Sequence, residues 1–410
     1  MRALAVVLAA SALALGCTDR SPVRPRPGDD GGTVDPRDDS GPRPMIPDGG
    51  ACNPGLSSDD VDGDGFTEND GDCYDCSPQV NPGAFDDPGN AVDEDCDGTV
   101  ATDFELCDSD LLLDSSNPID AARAIGLCRT TTESERGWGV ISARWTRADG
   151  TGTPVSADQH GLMGTFGRVG ARAGSSMLAI SSGAARATSQ RGFTSDCDAY
   201  SEEVEGNWPA GIDRGSPACP GVTSGDVYDP VALEVRVRVP SNAEGLRFES
   251  NFFTYEYPSY ICSEFNDFFV VLMEPRPEGS TDGNIVFDTD GNKVSVNNSL
   301  LRACVPGEFG GRTFDCPLGT EPLLETSFDD TAICGSEEVF PGFPSLAKGP
   351  IGASTGWLRT TTPVQGGSII TLRFAVWDAG DPVLDSLTLI DAFDWLVEDP
   401  GTVTTDPILF

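Results

Sequence analysis

The sequence predicts a mainly β protein: an antiparallel β-sandwich or jelly-roll-like domain, preceded by a small acidic loop module and a disordered N-terminal tether. Three observations carry this. Val231, Leu233, Val235, Val237 and Val239 alternate without fault with Ala232, Glu234, Arg236 and Arg238, as a half-buried antiparallel strand requires. The 410 residues include 48 Gly and 31 Pro, a composition that favours many turns over long helices. Between residues 51 and 100 stand 14 acidic residues and no Lys or Arg, a charge field that resists compaction without cations.

In chain order, Met1-Arg2 and the uncharged apolar run Ala3 to Leu15 read as an export leader over 1–16. The run is too short for a mature membrane span. Leu15-Gly16-Cys17 resembles a lipobox, which makes Cys17 the lipid-bearing N-terminus and the outer membrane or cell surface the destination. Cleavage by an ordinary signal peptidase is the other outcome of the same pattern. Residues 17–50 are rich in Pro, Gly and mixed charge, the composition of a solvated spacer. The acidic module follows at 51–103, the sandwich at 104–398 and a tail at 399–410.

Cysteine usage agrees with export. Setting Cys17 aside from the 13 cysteines leaves an even number, expected as disulfides in an oxidising compartment. They divide equally between 52–128 and 197–334, and sequence proximity singles out Cys107–Cys128 and Cys197–Cys219. Cys73-Tyr-Asp-Cys76 has no second CxxC, so its spacing does not make a zinc ribbon.

Net charge is −40, which excludes a nucleic-acid partner, since phosphate needs a positive surface. The single histidine, His160, excludes any centre needing two imidazoles. No G-x-S-x-G, P-loop or H-E-x-x-H occurs, so no catalytic residue is named and a non-enzymatic role is expected.

Asp60-Val-Asp62-Gly-Asp64-Gly65-Phe66 fits the first half of a calcium loop. Alternate carboxylates converge on one hard cation, Gly permits the sharp turn, and Phe66 offers a carbonyl. The twelfth position is Gly71 rather than Glu, leaving Glu68, Asp70 and Asp72 as substitutes. Asp93, Asp95 and Asp97 repeat the pattern ahead of Gly98. Calcium is the expected ion. A solvated acidic spacer is the plain alternative.

Beyond the module, Asn117 to Leu127 is the one fair helix, with Pro118 near its start. Strands are expected over Trp138–Arg147, Ser176–Ser181, Phe248–Tyr257, Phe268–Met273 and Ile285–Asp288. Ile370, Leu372, Phe374 and Val376 should face inward, with Thr371, Arg373 and Trp377 outward. Leu387, Leu389, Asp391, Phe393 and Trp395 form one further face.

Loop acids in this domain, Asp378, Asp381 and Asp385 with Asn266 and neighbouring Glu256, Glu264 and Asp267, offer oxygens for a second calcium. Solvated turn chemistry explains them equally well. A pair of them could instead serve glycoside hydrolysis. Tyr255, Tyr257 and Tyr260 offer a sugar-stacking surface, though such aromatics are more often core.

Two resemblances follow from these segments. Residues 60–98, with DVDGDGF, Asp72-Cys73-Tyr74-Asp75, Pro82-Gly83-Ala84 and Asp95-Cys96-Asp97-Gly98, are similar to the MopE-type metal-binding repeat. Its usual cysteine after Pro-Gly-Ala is replaced by Phe85-Asp86-Asp87. That family name carries a copper association, but carboxylates without His or Met favour calcium. The segments YEYPSYICSEFNDFFVVLM (255–273), GNIVFDTDGNKVSVNN (283–298), STGWLRTTTPVQGGSIITLRFAVWDAGD (354–381) and LDSLTLIDAFDW (384–395) resemble the choice-of-anchor L family over about 230–396, and WGVISARW through SSMLAISSG resembles its upstream part. The resemblance implies an exported surface domain. The expected function is therefore cell-surface adhesion to a polysaccharide or protein, or surface structure. A secreted hydrolase is the alternative.

Overall fold

The structure, a computed structural model, describes residues 55–152, 156–194, 203–298, 300–329 and 352–409. The leader, Cys17, the tether and Cys52, Cys197 and Cys334 lie outside the described residues. Among the described residues no helix is long and apolar enough to cross a membrane.

Two antiparallel sheets face each other. The first runs Gly139–Thr146, Val227–Arg238, Ile369–Ala379, Phe268–Glu274, Val294–Ser295. The second runs Thr404–Pro407, Leu358–Pro363, Gly245–Thr254, Ser386–Leu396, Met177–Ser181, His160–Met163. The alternation seen in the sequence sets the register: Val237, Val235 and Leu233 lie opposite Ile370, Leu372 and Phe374, and all point into the space between the sheets. There Phe374 meets Phe248 of the other sheet edge to face, centroids 5.4 Å apart. Burial of such side chains contributes about 1.5–3 kcal/mol each.

The helix Pro118–Ala124 starts where expected, with Asn117 capping Ile119 and Pro118 in the first turn. Its Ala121, Ala122 and Ala124 close the main core.

Four expectations need correction. Trp377 is not outward in any solvated sense. It is fully buried on the far face of the first sheet, stacked on Phe268 and covered by Trp208. The face proposed for Leu387 through Trp395 is split by a bulge between Asp391 and Asp394, where Ala392 adopts φ 53°. Leu387 and Leu389 pack on one side, Phe393 and Trp395 on the other. Residues 285–288 form no strand: Phe287 makes only an isolated bridge to Lys293, and the preceding Asn284 one to Leu272. The tail is not a tail: Thr404–Pro407 pairs with Leu358–Pro363 as an edge strand.

Of the disulfides, Cys107–Cys128 forms as expected. Cys197–Cys219 does not, because Cys219 is bonded to Cys262. Cys73–Cys96 and Cys304–Cys316 also form.

Candidate metal centre

The acidic module has almost no regular structure, so its shape comes from carboxylates that accept their own backbone amides. Asp60 Oδ1 and Oδ2 accept Gly63 N–H and Gly65 N–H at 2.7 and 3.1 Å. Asp62 Oδ1 accepts Asp64 N–H at 3.2 Å, and Asp64 Oδ1 accepts Phe66 N–H at 2.8 Å. The second loop repeats three of these four bonds. Asp93 Oδ2 accepts Gly98 N–H at 3.1 Å, Asp95 Oδ1 accepts Asp97 N–H at 3.2 Å, and Asp97 Oδ1 accepts Thr99 N–H at 2.8 Å. Gly65 and Gly98 hold the same place, with φ of 95° and 93°, a region an L side chain rarely enters.

In three of these acids one oxygen serves the turn and the other is left for a ligand. Asp62 Oδ2, Asp64 Oδ2 and Asp93 Oδ1 are buried and accept no hydrogen bond. Asp60, Asp62 and Asp64 bring ligand oxygens within 4.8 Å of one another, and Asp93, Asp95 and Asp97 do the same.

The first loop gains more. Asp62 also forms a triad with Asp72 and Asp75 on the same distance criterion. Asp72 and Asp75 are 4% and 3% exposed. Asp72 Oδ1 accepts Tyr74 N–H at 2.8 Å while its Oδ2 is buried and unbonded, and Asp75 Oδ1 accepts Val61 N–H at 2.8 Å. Asp75 was not expected. The spacing Asp72-Cys73-Tyr74-Asp75-Cys76 was its signal, since the disulfide Cys73–Cys96 fixes this segment against the second loop. Glu68 and Asp70, expected as substitutes, play no such part: both are exposed, and Asp70 is held by Thr67 and, at 3.6 Å, by Arg136. Phe66 is anchored by its buried ring, over which Arg136 lies at 5.4 Å.

Electrostatics follow the geometry. Burial raises Asp62, Asp64, Asp93 and Asp95 from their ordinary values, with neighbouring acids adding to it and, at Asp95, Arg129 opposing it. Burial pushes Asp72 up to about 6, opposed by the Tyr74 amide and reinforced by Asp64, Asp62 and Asp75. Asp97 is lowered by hydrogen bonds from Thr99. An all-carboxylate donor set suits a hard cation, calcium above all. Cys73, Cys76 and Cys96 are disulfide-bonded, so no thiolate is left among the module's described residues for zinc or copper.

The module belongs to the same compact unit as the sandwich. Phe85 N–H reaches Asn242 Oδ1 at 2.8 Å, Trp138 Nε1–H reaches the Ala84 carbonyl at 2.8 Å, and Arg129 reaches Asp95 at 2.9 Å. The basic residues missing from 51–103 are supplied by the sandwich.

The second acidic group lies at one end of the sandwich. Asp378 and Asp385 are buried, and Asp381 is half-buried. Asn266 is not available as a ligand: its Nδ2 donates to Ser224 Oγ at 3.0 Å and its Oδ1 accepts Asn297 N–H at 2.8 Å. Tyr255 and Tyr257 make no sugar platform, being 3% and 1% exposed, with Tyr255 stacked on Phe328 and Tyr257 edge-on to Phe309 and Phe314.

No family model, curated protein or solved structure matches the chain.

Proposed function

We propose that this is an exported surface protein whose acidic loops take up calcium and fix a non-catalytic β-sandwich for binding at the cell surface. One observation carries the reading. Around Asp62, carboxylates of Asp60, Asp64, Asp72 and Asp75 converge, and buried oxygens of Asp62, Asp64 and Asp72 are unbonded. Burying such charge without a partner costs several kcal/mol, and a divalent cation removes that cost. Asp60, Asp62, Asp64, Asp72 and Asp75 would hold one ion and Asp93, Asp95 and Asp97 a second. Lipidation at Cys17 would tie the chain to the outer membrane, and an extracellular polysaccharide or protein would be the bound partner. An open hollow of about 530 Å³ lined by Asp213, Thr281, Asp282, Asn284 and Lys293 offers polar groups to a hydroxyl-rich ligand.

The hydrolase reading is weaker on physical grounds. Glu256, Asp267 and Asp378 are 1–2% exposed, so a glycosidic bond could not lie between them as hydrolysis requires.

Calcium titration of the intact chain by calorimetry tests the loops. The double variant Asp64→Asn, Asp95→Asn should bind two fewer ions. At ten times the dissociation constant each ion adds roughly 1.4 kcal/mol of stability. An unchanged ion count in the double variant overturns the reading. A glycan array with calcium present tests the surface role: binding without turnover supports it, and turnover supports the hydrolase.

A further inference from the structure

The acidic module and the sandwich meet around an open cleft of about 330 Å³. Phe85 and Asp87 of the module line one side with Phe104, where the chain enters the sandwich, and Arg247 with residues 394–400 lines the other. Contacts distant in sequence set these walls. Phe85 N–H donates to Asn242 Oδ1 at 2.8 Å, and Asn242 Nδ2 donates back to the Phe85 carbonyl at 2.9 Å. The Phe85 ring meets Trp138 edge to face at 6.0 Å, and Trp138 meets Trp395 in the same way at 6.4 Å. The cleft is therefore largely pre-formed, as binding sites usually are.

Its lining has two characters. Phe85, Trp395, Leu396 and Val397 make an apolar side, and Phe104 leaves its large ring 47% exposed beside them. The charged side is acidic: Asp87, Asp394, Glu398 and Asp399 face a single base, Arg247. That base is already engaged, since Arg247 Nη2 lies 2.6 Å from Asp394 Oδ2 on the neighbouring strand. Asp87 Oδ1 and Asp399 Oδ1 accept the turn amides of Gly89 and Gly401 at 2.8 and 2.7 Å. Glu398 and Asp399 stand exposed at the rim.

We propose that this cleft binds an arginine-bearing segment of a partner protein. An arginine side chain has the two matching parts. Its apolar stem covers Phe85, Phe104 and Val397, and its planar cation stacks on a ring or takes a rim carboxylate in paired hydrogen bonds. A saccharide fits less well. Trp395 is 4% exposed and offers no ring face for stacking, and the polar groups of the lining are nearly all acceptors. The proposal deepens the surface-binding reading, on which it rests in taking a protein as the partner. It uses neither the calcium loops nor the hollow beside Lys293, so its failure leaves the calcium titration and the glycan array as they stand.

The test titrates the intact chain with the peptide acetyl-Gly-Arg-Leu-Arg-Gly-amide, in about 0.15 M salt to screen the long-range field of the acidic chain. The same peptide with citrulline in place of both arginines should bind about tenfold or more weakly. Phe104→Ser and Glu398→Gln, both at exposed positions, should each weaken the arginine peptide about threefold or more. Glu308→Gln, an exposed acid outside the cleft, should leave it unchanged. Far-ultraviolet circular dichroism confirms that each variant is folded. Absence of peptide binding at millimolar concentration overturns the proposal. So does equal loss in Glu308→Gln and Glu398→Gln, or full affinity in a folded Phe104→Ser variant, either of which would mean diffuse attraction to a chain of net charge −40. A glucosamine oligomer that binds more tightly than the peptide also overturns it, in favour of an aminated polysaccharide.

Discussion

Arg129 Nη2 lies 2.9 Å from Asp95 Oδ2, so the second loop already faces a positive charge. Among the described residues, none of Asp60, Asp62, Asp64 and Asp72 forms an ion pair. Two loops with matching backbone geometry therefore differ in electrostatics. Arg129 also stacks over Trp138 at 4.7 Å and reaches Glu105 at 3.3 Å, so it is held in place by more than Asp95.

The loops should consequently bind calcium unequally, the first more tightly. Arg129→Met should raise the affinity of the second loop several-fold. A partly exposed ion pair contributes roughly 1 kcal/mol at most, and its loss would slightly destabilise the calcium-free chain. Calorimetry should resolve two loop affinities that draw closer in the variant. Equal affinities in the native chain count against this.

Asp72→Asn separates a ligand from a merely structural acid. The amide oxygen can still accept Tyr74 N–H, while the charge facing Asp62, Asp64 and Asp75 is gone. Without calcium the variant should be more stable than the native chain, because repulsion is relieved. With calcium it should bind the first ion about tenfold or more weakly. Melting curves in chelator and in excess calcium should shift in opposite directions. A variant destabilised in both conditions would show that Asp72 serves only the fold.

Cys73–Cys96 joins the two sites, since Cys73 follows Asp72 and Cys96 lies between Asp95 and Asp97. Its sequence separation is 23, and closing such a loop contributes roughly 3 kcal/mol in the chain-entropy model. Replacing both cysteines by serine should lower calcium affinity at both loops, because each ligand segment is tied through this bond. Loss at one loop alone would mean that the other is shaped by its turns.

Legibility in the sequence followed the range of the interactions. Val231 to Val239 was readable because its alternation is local and faces one continuous core. Asp60, Asp62 and Asp64 were readable because their turns span only a few residues. Asp75 was not, since its place depends on a bond to Val61 across 14 residues and on a disulfide to the second loop. Phe393 was misread because a bulge in its strand reverses the faces, and the burial of Trp377 was missed because Trp208, distant in sequence, covers the outer face on which it lies. Cys219 was misassigned because proximity in sequence does not choose a partner. Arg129 was missed as part of the second site because its contact with Asp95 spans 34 residues.

His160 offers a pH test independent of any metal. Its ring stacks on Trp145 at 4.1 Å and 8°, it is 3% exposed, and its Nδ1 makes no hydrogen bond. Burial lowers its pKa from 6.5 to about 4, and the nearby Arg186 charge adds to the effect. Below 6.5 the unfolded chain takes up a proton there that the folded chain refuses. The stability due to neutral His160 is therefore full above pH 6.5 and drains away as pH falls to about 4, amounting to up to about 3 kcal/mol. Raised acids act in the opposite sense: Asp267 and Glu94 at about 7 and Asp391 at about 6 favour the folded chain at low pH. The native profile is the sum, so the comparison must be with His160→Phe, which keeps the stack and cannot titrate. Denaturant unfolding in chelator at pH 7.5 and pH 4.5 should show the variant gaining on the native chain at the lower pH. A difference that does not change between the two pH values would mean that the imidazole is protonated in the folded chain as readily as in the unfolded one.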